Sequence, residues 1–495
     1  MGISDKDKGT IMKGAFVVFV AIFLGKFLMY LTKGYLARYL GPTDYGLFAL
    51  SLTIFTIIVT FSNLGINEGI VRFVASYVSK KDWARVKGSL YSGINIVLPF
   101  SILMSVVVFI FAGNISTFFE KDITIYLKIF SLAIPFFVTY RVFHGFLRGL
   151  KRMKQMSMMN NVYSNFMILV FSFIGVIYYG LVGAVSGFVI GYILRFFISV
   201  FYSMDVIRKK NRPKLITKEL IKFSWPLTIV VLIWSVAGYL DTMMLGYFRS
   251  SAEVGVYNVS YLVSGLLTII YSAFVAIYYP LGSEYFSKKR DIKPLYKQVT
   301  KWMFSVAYPS FLILLFFSST VIRIFFGSEY LTGYISLSIL SFAFFFSILV
   351  GPCAETLNVL GKPKWNTLNV LVMVFIDFIL NYYLIQSYGI LGCAIATTIA
   401  MVVLNLMGLI EVWYLNKINP FDFDFLKAGI FGFVLMYGFY YSMMYLKTFL
   451  DRFVYDILKI FGFGVFMVLF LGFSIKIGIL DVDFFKNRVF NKFIK

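Results

Sequence analysis

Seven ionisable residues stand inside stretches that are otherwise apolar. Lys26, Lys33, Arg141 and Arg195 supply positive charge there, and Asp241, Asp377 and Glu355 supply negative charge. At mid-bilayer such an ion is destabilised by roughly 2.5–3.5 kcal/mol even on the lenient insertion scale, so each needs a partner or a watery cavity. Lys26 and Lys33 are seven residues apart, hence on one helical face, with Tyr30 between them. The four cations are candidate lining for a cavity that binds an anion, because guanidinium groups grip phosphate oxygens bidentately. A buried carboxylate can exchange its charge for a proton, which makes Asp241, Asp377 and Glu355 candidates for coupling or gating. The alternative for each is structural. Arg141 and Lys26 would satisfy buried carboxylates or carbonyls, Arg195 would reach headgroups, Asp241 would pair with the first span, and Glu355 would cap or snorkel.

Other polar residues have local readings. Glu68 and Arg72 are four apart at a helix end, the spacing of an intrahelical ion pair. His144 falls at a span boundary. Asn160, Asn161 and Asn165 suit either sugar hydroxyls or interhelical hydrogen bonds. Two cysteines without motif spacing and a single histidine point away from a disulfide framework, a zinc site or a His-based triad. No cofactor and no metal are expected.

The elements that hold these residues are set by composition. The chain has 495 residues, 60% hydrophobic and 14% charged, whereas soluble domains carry about 25% charged residues. Apolar runs of about 20 residues, each long enough to cross a bilayer, recur from end to end. The expected fold is an all-α polytopic membrane protein of about fourteen helices. Spans are expected near 13–39, 46–67, 89–112, 123–143, 157–178, 180–204, 225–246, 254–281, 302–325, 333–358, 366–386, 389–414, 425–446 and 453–475. The first apolar stretch is too long for a signal-peptide core and carries Lys26 and Lys33.

With that count, roughly 33 of the 46 Lys and Arg fall at the termini and in the even-numbered loops, on one side of the membrane. Both termini are therefore expected in the cytoplasm of a cell (plasma or inner) membrane. The net charge of +23 is dispersed over short loops, so it reads as topology and attraction to anionic lipid rather than nucleic-acid binding. No loop leaves room for an extramembrane catalytic domain, and an enzyme is not expected.

An internal repeat organises the spans. Asp44-Tyr-Gly-Leu-Phe-Ala-Leu-Ser51 aligns with Glu253-Val-Gly-Val-Tyr-Asn-Val-Ser260 at a shift of 209, and Tyr179-Gly-Leu-Val-Gly-Ala184 aligns with Tyr388-Gly-Ile-Leu-Gly-Cys393 at the same shift. Six spans separate the copies, so both halves have one membrane orientation, an architecture of transporters. The expected division is an N-terminal lobe at 1–208, a C-terminal lobe at 209–415 and two additional spans in 416–495. Pro99, Pro135, Pro309 and Pro352 fall in apolar spans and permit kinks. Gly183, Gly187 and Gly191 form a small-residue stripe for close helix packing.

Tyr39-Leu-Gly-Pro-Thr-Asp-Tyr-Gly-Leu-Phe-Ala-Leu50 after an amphipathic first span resembles the polysaccharide-transporter family of lipid-linked oligosaccharide flippases, as do Asn63-Leu-Gly-Ile66 and Arg148-Gly-Leu-Lys-Arg152. Asp241 followed by Met244-Leu-Gly-Tyr-Phe248, Glu253-Val-Gly-Val-Tyr257 and Val359-Leu-Gly-Lys-Pro363 extend the resemblance over nearly the whole chain. It implies two six-helix lobes and alternating access, as in the superfamily that includes multidrug exporters and peptidoglycan-precursor flippases. It also implies a polyprenyl-pyrophosphate-linked glycan as substrate, membrane lipids and glycan-biosynthesis enzymes as partners, and H+ or Na+ as coupling ion. Lys26, Lys33, Arg141 and Arg195 would then meet the pyrophosphate. Two other functions compete: a multidrug or small-metabolite exporter of the same superfamily, and a membrane glycan polymerase or ligase. A cationic N-terminal lobe disfavours cationic drugs, and a polymerase or ligase would be expected to show a large outer loop or an acidic metal motif.

Overall fold

The computed structural model describes residues 5–421, 423–449 and 452–480, with side chains from residue 20 onward except at 452 and 453. The ends of the expected first lobe (1–4) and of the C-terminal appendix (481–495) lie outside the described residues. All regular structure among the described residues is helical, as apolar segments in a bilayer require when each must satisfy its own backbone hydrogen bonds.

The helices pack as two compact units, Met1–Asn258 and Val259–Lys495. The first holds α1 (Asp5–Ser62), α2 (Ile66–Ser79), α3 (Trp83–Phe119), α4 (Thr124–Gly149), α5 (Met153–Ser157), a π-helical turn (Met158–Tyr163), α6 (Ser164–Ile207), α7 (Thr217–Phe248) and the start of α8 (Ser251–Ser264). The second holds the rest of α8, then α9 (Leu267–Ser287), α10 (Lys293–Phe316), α11 (Ser318–Phe325), α12 (Tyr334–Leu349), α13 (Cys353–Val359), α14 (Pro363–Asn416), α15 (Phe423–Leu446) and α16 (Arg452–Lys476). The packing boundary follows α7 because that helix rests on the first unit: a Cβ on Gly65 would sit 2.7 Å from the Ser224 carbonyl oxygen, and one on Gly69 would press on Leu220 at 2.7 Å.

Ten described helical segments are long and apolar enough to cross a membrane, and the α8–α9 pair, bent by 40°, brings the number to eleven when it is counted as one broken span. Three of the ten are double-length and break at Gly41, Gly180 and Gly389. Each break divides its segment into two spans, which accounts for the fourteen expected. Gly180 (φ 55°, ψ −136°) and Gly389 (φ 56°, ψ −132°) are 209 residues apart and adopt the same conformation. Beyond Gly180 the expected glycine stripe packs on the preceding limb of α6: Gly183 meets Gly175, Gly187 meets Ser172 and Gly191 meets Ile168.

The repeat is also a contact. Pro42 begins the second limb of α1, and Ser251, 209 residues later, begins α8. A Cβ on Gly46 would fall on the Ser251 carbonyl oxygen, and a Cβ on Gly255 would fall on that of Pro42. The two helices cross backbone to backbone, and each repeat contributes the glycine at the same position.

Several boundaries differ from the expected ones. The second span ends at Ser62, because Leu64 (φ 46°) and Gly65 (φ 63°) form a left-handed turn and α2 starts anew as a separate amphipathic helix. The tenth span breaks at Gly351 (φ 92°) and Pro352, which separates α12 from α13. Pro99, Pro135 and Pro309 lie inside α3, α4 and α10.

Candidate functional site

The first unit contains a polar cavity of about 310 Å³. One wall is α4, whose Phe137, Tyr140, Arg141 and His144 share a face through three- and four-residue spacing. The turn after α1 contributes Asn63 and Gly65, α2 contributes Asn67 and Glu68, the π-helical turn Asn160, α6 Arg195 and α7 Val231. An aromatic stack supports the cavity, with Tyr192 ring to ring against Phe55 at 5.5 Å and edge-on to Phe137 at 4.7 Å.

Arg195 is the most constrained group. One terminal nitrogen donates to the Tyr140 hydroxyl at 2.8 Å and to the Asn160 carbonyl at 3.4 Å, and it also contacts Asn160 Oδ1. Tyr140 in turn donates to Asn160 Oδ1. The guanidinium lies 4.0 Å from the Tyr140 ring centroid, within cation–π range. Its Nε is buried without an acceptor. Arg141 shares the Phe137 ring with Arg195, at 5.7 and 5.6 Å from the centroid respectively. Among the described residues Arg141 makes no hydrogen bond and no ion pair.

The cavity's carboxylate does not neutralise these charges. Glu68 pairs with Arg148 at 3.3 Å and accepts from Asn67 Nδ2 at 3.2 Å. This corrects the expected pairing of Glu68 with Arg72: that side chain turns instead to the Phe223 ring on α7, 4.3 Å away. His144, read from sequence as a boundary residue, lines the cavity, as does Arg195, one of the four cations read as candidate lining. Of the three asparagines, Asn160 faces the cavity. Asn161 bonds the Ser157 carbonyl at 3.1 Å, and Asn165 donates to the Gly25 carbonyl at 2.8 Å, tying α6 to α1.

The remaining sequence candidates lie elsewhere. Lys26 and Lys33 are half-buried on α1, outside the residues that line the cavity. Asp241 on α7 accepts a hydrogen bond from the buried Tyr257 hydroxyl. In the second unit Asp377 is 2% exposed and accepts from Asn381 Nδ2 at 3.1 Å, while Glu355 accepts from the Tyr271 hydroxyl at 2.7 Å. Arg141 and Arg195 are thus brought together, and Asp241 of the same unit is not among the residues that line their cavity.

Sequence reasoning missed three features. Asn63 is buried in the cavity wall, behind a motif that reads as a turn signal. Lys459 is 5% exposed and donates to Thr320 at 2.9 Å, beside the Arg323–Asp456 ion pair at 2.8 Å. Asp456 and Lys459 both sit inside the fourteenth apolar run, and that was the available signal. Glu411 accepts from the buried Asn369 at 2.6 Å.

Comparison with known proteins adds independent information. Residues 11–286 match the model of a family described as polysaccharide biosynthesis protein. A putative O-antigen transporter of Shigella flexneri is 23% identical over 382 residues, covering 74% of this chain and 90% of its own length. A probable low-salt glycan biosynthesis flippase, Agl15 of Haloferax volcanii, is 24% identical over 428 residues, covering 83% and 85%. Among solved structures, the lipid II flippase MurJ in an inward closed conformation superposes with a TM-score of 0.74 at 18% identity, over 93% of this chain and 98% of its own. That likeness shows the fold.

Proposed function

The chain belongs to the polysaccharide biosynthesis protein family, and from that membership we propose that it is a flippase. It moves a polyprenyl-(pyro)phosphate-linked oligosaccharide from the cytoplasmic to the outer leaflet of the cell membrane by alternating access. The observation that carries this reading is the pair of guanidinium groups, Arg141 and Arg195, in a polar cavity whose carboxylate is engaged with Arg148. Two such cations fit the pyrophosphate of a lipid-linked glycan and repel a cationic drug. The relatives named as an O-antigen transporter and a glycan flippase support the substrate class.

Both termini and the basic loops face the cytoplasm in this reading, so the cavity is loaded from the side where lipid-linked precursors are made. The lobes are residues 1–208 and 209–415, with the two helices of 416–495 added at the end. Lys26 and Lys33 extend the positive path along α1. Asp241, Asp377 and Glu355, each held by a neighbouring hydroxyl or amide, couple the cycle to H+ or Na+. No bond in the substrate is made or broken. Glycan-biosynthesis enzymes are the partners that supply it.

The test is transport by purified protein in liposomes with a fluorescent polyprenyl-pyrophosphate oligosaccharide, following outer-leaflet accessibility with and without a cation gradient. Wild type is expected to flip the lipid, Arg141→Ala and Arg195→Ala to lose flipping, and Asp241→Asn to lose the gradient dependence. Lys26→Ala and Lys33→Ala are expected to slow flipping. Flipping that survives both arginine changes would refute the assignment of the cavity, and export of small organic cations without flipping would refute the function.

A further inference from the structure

The segment 208–216 joins α6 to α7 without regular structure, yet its course is fixed along the first turns of α3. Lys87 Nζ donates to the Lys209 carbonyl at 3.0 Å, and the Lys209 ammonium lies 3.2 Å from the centre of the Trp83 ring. The Lys214 nitrogen donates to the Ala84 carbonyl at 3.0 Å, and the Ile216 nitrogen to the buried Ser92 hydroxyl at 2.9 Å. Gly88 lets this strap lie against the helix backbone, since a Cβ there would fall on the Lys214 carbonyl oxygen. The connection is a clamped ribbon and not a loose tether.

What the ribbon presents is charge without counter-charge. Arg208, Lys210, Arg212, Lys214, Lys218 and Lys222 are exposed, and among the described residues none of their side chains forms an ion pair or a hydrogen bond. Cations elsewhere have acidic partners: Lys288 pairs with Glu284, Arg148 with Glu68 and Arg152 with Asp205. Like charges held close together on a fixed backbone repel one another, and an anion relieves that repulsion. Because the backbone is already ordered, binding does not have to order it.

The residues between the cations identify the anion. Leu215, Ile221 and Trp225 are exposed, and Lys218, Ile221, Lys222 and Trp225 share one face of the first turns of α7 through three- and four-residue spacing. Exposed indole and aliphatic groups among lysines suit a headgroup boundary, where ammonium groups meet phosphates and the apolar groups enter the acyl region. A hydrated acidic polypeptide would leave those apolar groups in water.

We propose that the strap 208–216 and the start of α7 form a seat for anionic phospholipid headgroups of the leaflet that faces the cytoplasm. Diffuse attraction of basic loops to a charged membrane needs only the charges. The seat needs the clamp on α3 as well. It goes beyond the flippase reading and takes from it only the side on which the basic loops lie.

The experiment counts lipids retained by the purified full chain in native mass spectrometry, over titrations with phosphatidylglycerol and with phosphatidylcholine. Wild type is expected to bind phosphatidylglycerol about tenfold more tightly than phosphatidylcholine. Arg212→Ala with Lys214→Ala should remove that preference, whereas Lys288→Ala with Arg290→Ala, an equal loss of charge in another loop, should keep it within about twofold. Gly88→Ala lifts the ribbon from α3 without touching a charge and should also lose the preference. Ser92→Ala, which removes only the hydroxyl that holds Ile216, should weaken it in the same direction. An unchanged phosphatidylcholine count shows that each variant is folded. Equal losses in the two charge variants, or a preference kept by both Gly88→Ala and Ser92→Ala, would reduce the seat to diffuse attraction and overturn it. No preference in wild type, with an oligoglutamate peptide captured through Arg212 and Lys214 instead, would overturn the lipid in favour of an acidic protein partner. Each of these outcomes leaves the flippase reading standing, because none depends on transport.

Discussion

The crossing of α1 and α8 yields a quantitative test of the repeat. In Gly46→Ala the new Cβ would fall on the Ser251 carbonyl oxygen and lie 2.9 Å from the Gly255 nitrogen, closer than the 3.0 Å that real Cβ atoms respect. Both obstacles are backbone, so no side-chain rotation relieves them and the helices must part. Overpacking of this kind costs about 1–3 kcal/mol. Alanine regains about 1 kcal/mol of helix propensity over glycine, which leaves a net loss of roughly 0–2 kcal/mol, or about 1–3 kcal/mol relative to an unhindered glycine-to-alanine change. Gly113 on α3 is the internal control, since a Cβ there meets nothing within 4 Å, and Gly113→Ala should gain the propensity term alone. Gly255→Ala repeats the clash from the other side, against the Pro42 carbonyl oxygen and 3.1 Å from the Gly46 nitrogen. Once one substitution has parted the helices, the second enters a gap already open. The double variant should therefore be less destabilised than the sum of the singles, by about 0.5–3 kcal/mol of coupling. The assay is thermal melting of the purified protein in one detergent, compared across the four variants. If Gly46→Ala melts with Gly113→Ala, or the double change is additive, the reciprocal crossing is wrong.

Three further perturbations address other parts of the molecule. Glu68→Gln with Arg148→Ala in a double-mutant cycle should show less than about 1 kcal/mol of coupling, shrinking with added salt, because both side chains of this pair are 43% exposed. Lys459→Met, which fills the same space without the charge, should leave stability unchanged or raise it, whereas Asp456→Ala should lower it by about 1–3 kcal/mol by leaving Arg323 without its part-buried partner. Leu64→Val should lower stability by about 1–3 kcal/mol and Leu64→Gly should not, since a β-branched residue tolerates the φ of 46° least and glycine tolerates it freely; melting curves of the two variants separate the cases.

The spans were legible in the sequence because a bilayer demands long apolar helices, and the turns at Gly180 and Gly389 were legible because short breaks of the type Tyr-Gly interrupt them. The separate helix α2 was not, since Asn63-Leu-Gly65 interrupts an apolar run that continues on both sides, and only the left-handed conformation of Leu64 and Gly65 starts a new helix there. Local spacing misdirected the pairing of Glu68. Position i+4 is occupied by Arg72, but α2 turns that face toward Phe223 on α7, and the carboxylate finds Arg148 eighty residues away in sequence. Arg141 and Arg195 were identifiable as ions in apolar runs. Their meeting was not, because it is made over the ring of Phe137 with Arg195 held by Tyr140 and Asn160, and none of these types carries a charge signal. Asn63 was the least legible. An asparagine two residues before a glycine reads as punctuation, and only burial without a partner distinguishes it.

The repeat and the charges obey different logics. At a shift of 209 the backbone devices recur: Gly46 and Gly255 at the crossing, Gly180 and Gly389 at the turns, each pair in matching surroundings. Ionisable residues at the helix ends recur, Asp44 as Glu253 and Lys80-Lys81-Asp82 as Lys289-Arg290-Asp291, but those inside the apolar runs do not. Arg141 corresponds to Val350, Arg195 to Leu404, Asn63 to Ser272, and in the other direction Asp377 corresponds to Ile168 and Glu355 to Phe146. A duplicated scaffold with the same charges in both halves would offer an anionic headgroup two equivalent sites, with nothing to distinguish one step of a cycle from the next. Keeping the glycines, which govern how closely helices approach, while concentrating cations in one half and acids in the other preserves the paired framework and divides its chemistry. On the function proposed above, headgroup binding belongs to Arg141 and Arg195, and exchange of a coupling cation to Asp241, Asp377 and Glu355. Substitutions in the first set should change which lipid is bound, and substitutions in the second should change what drives its movement.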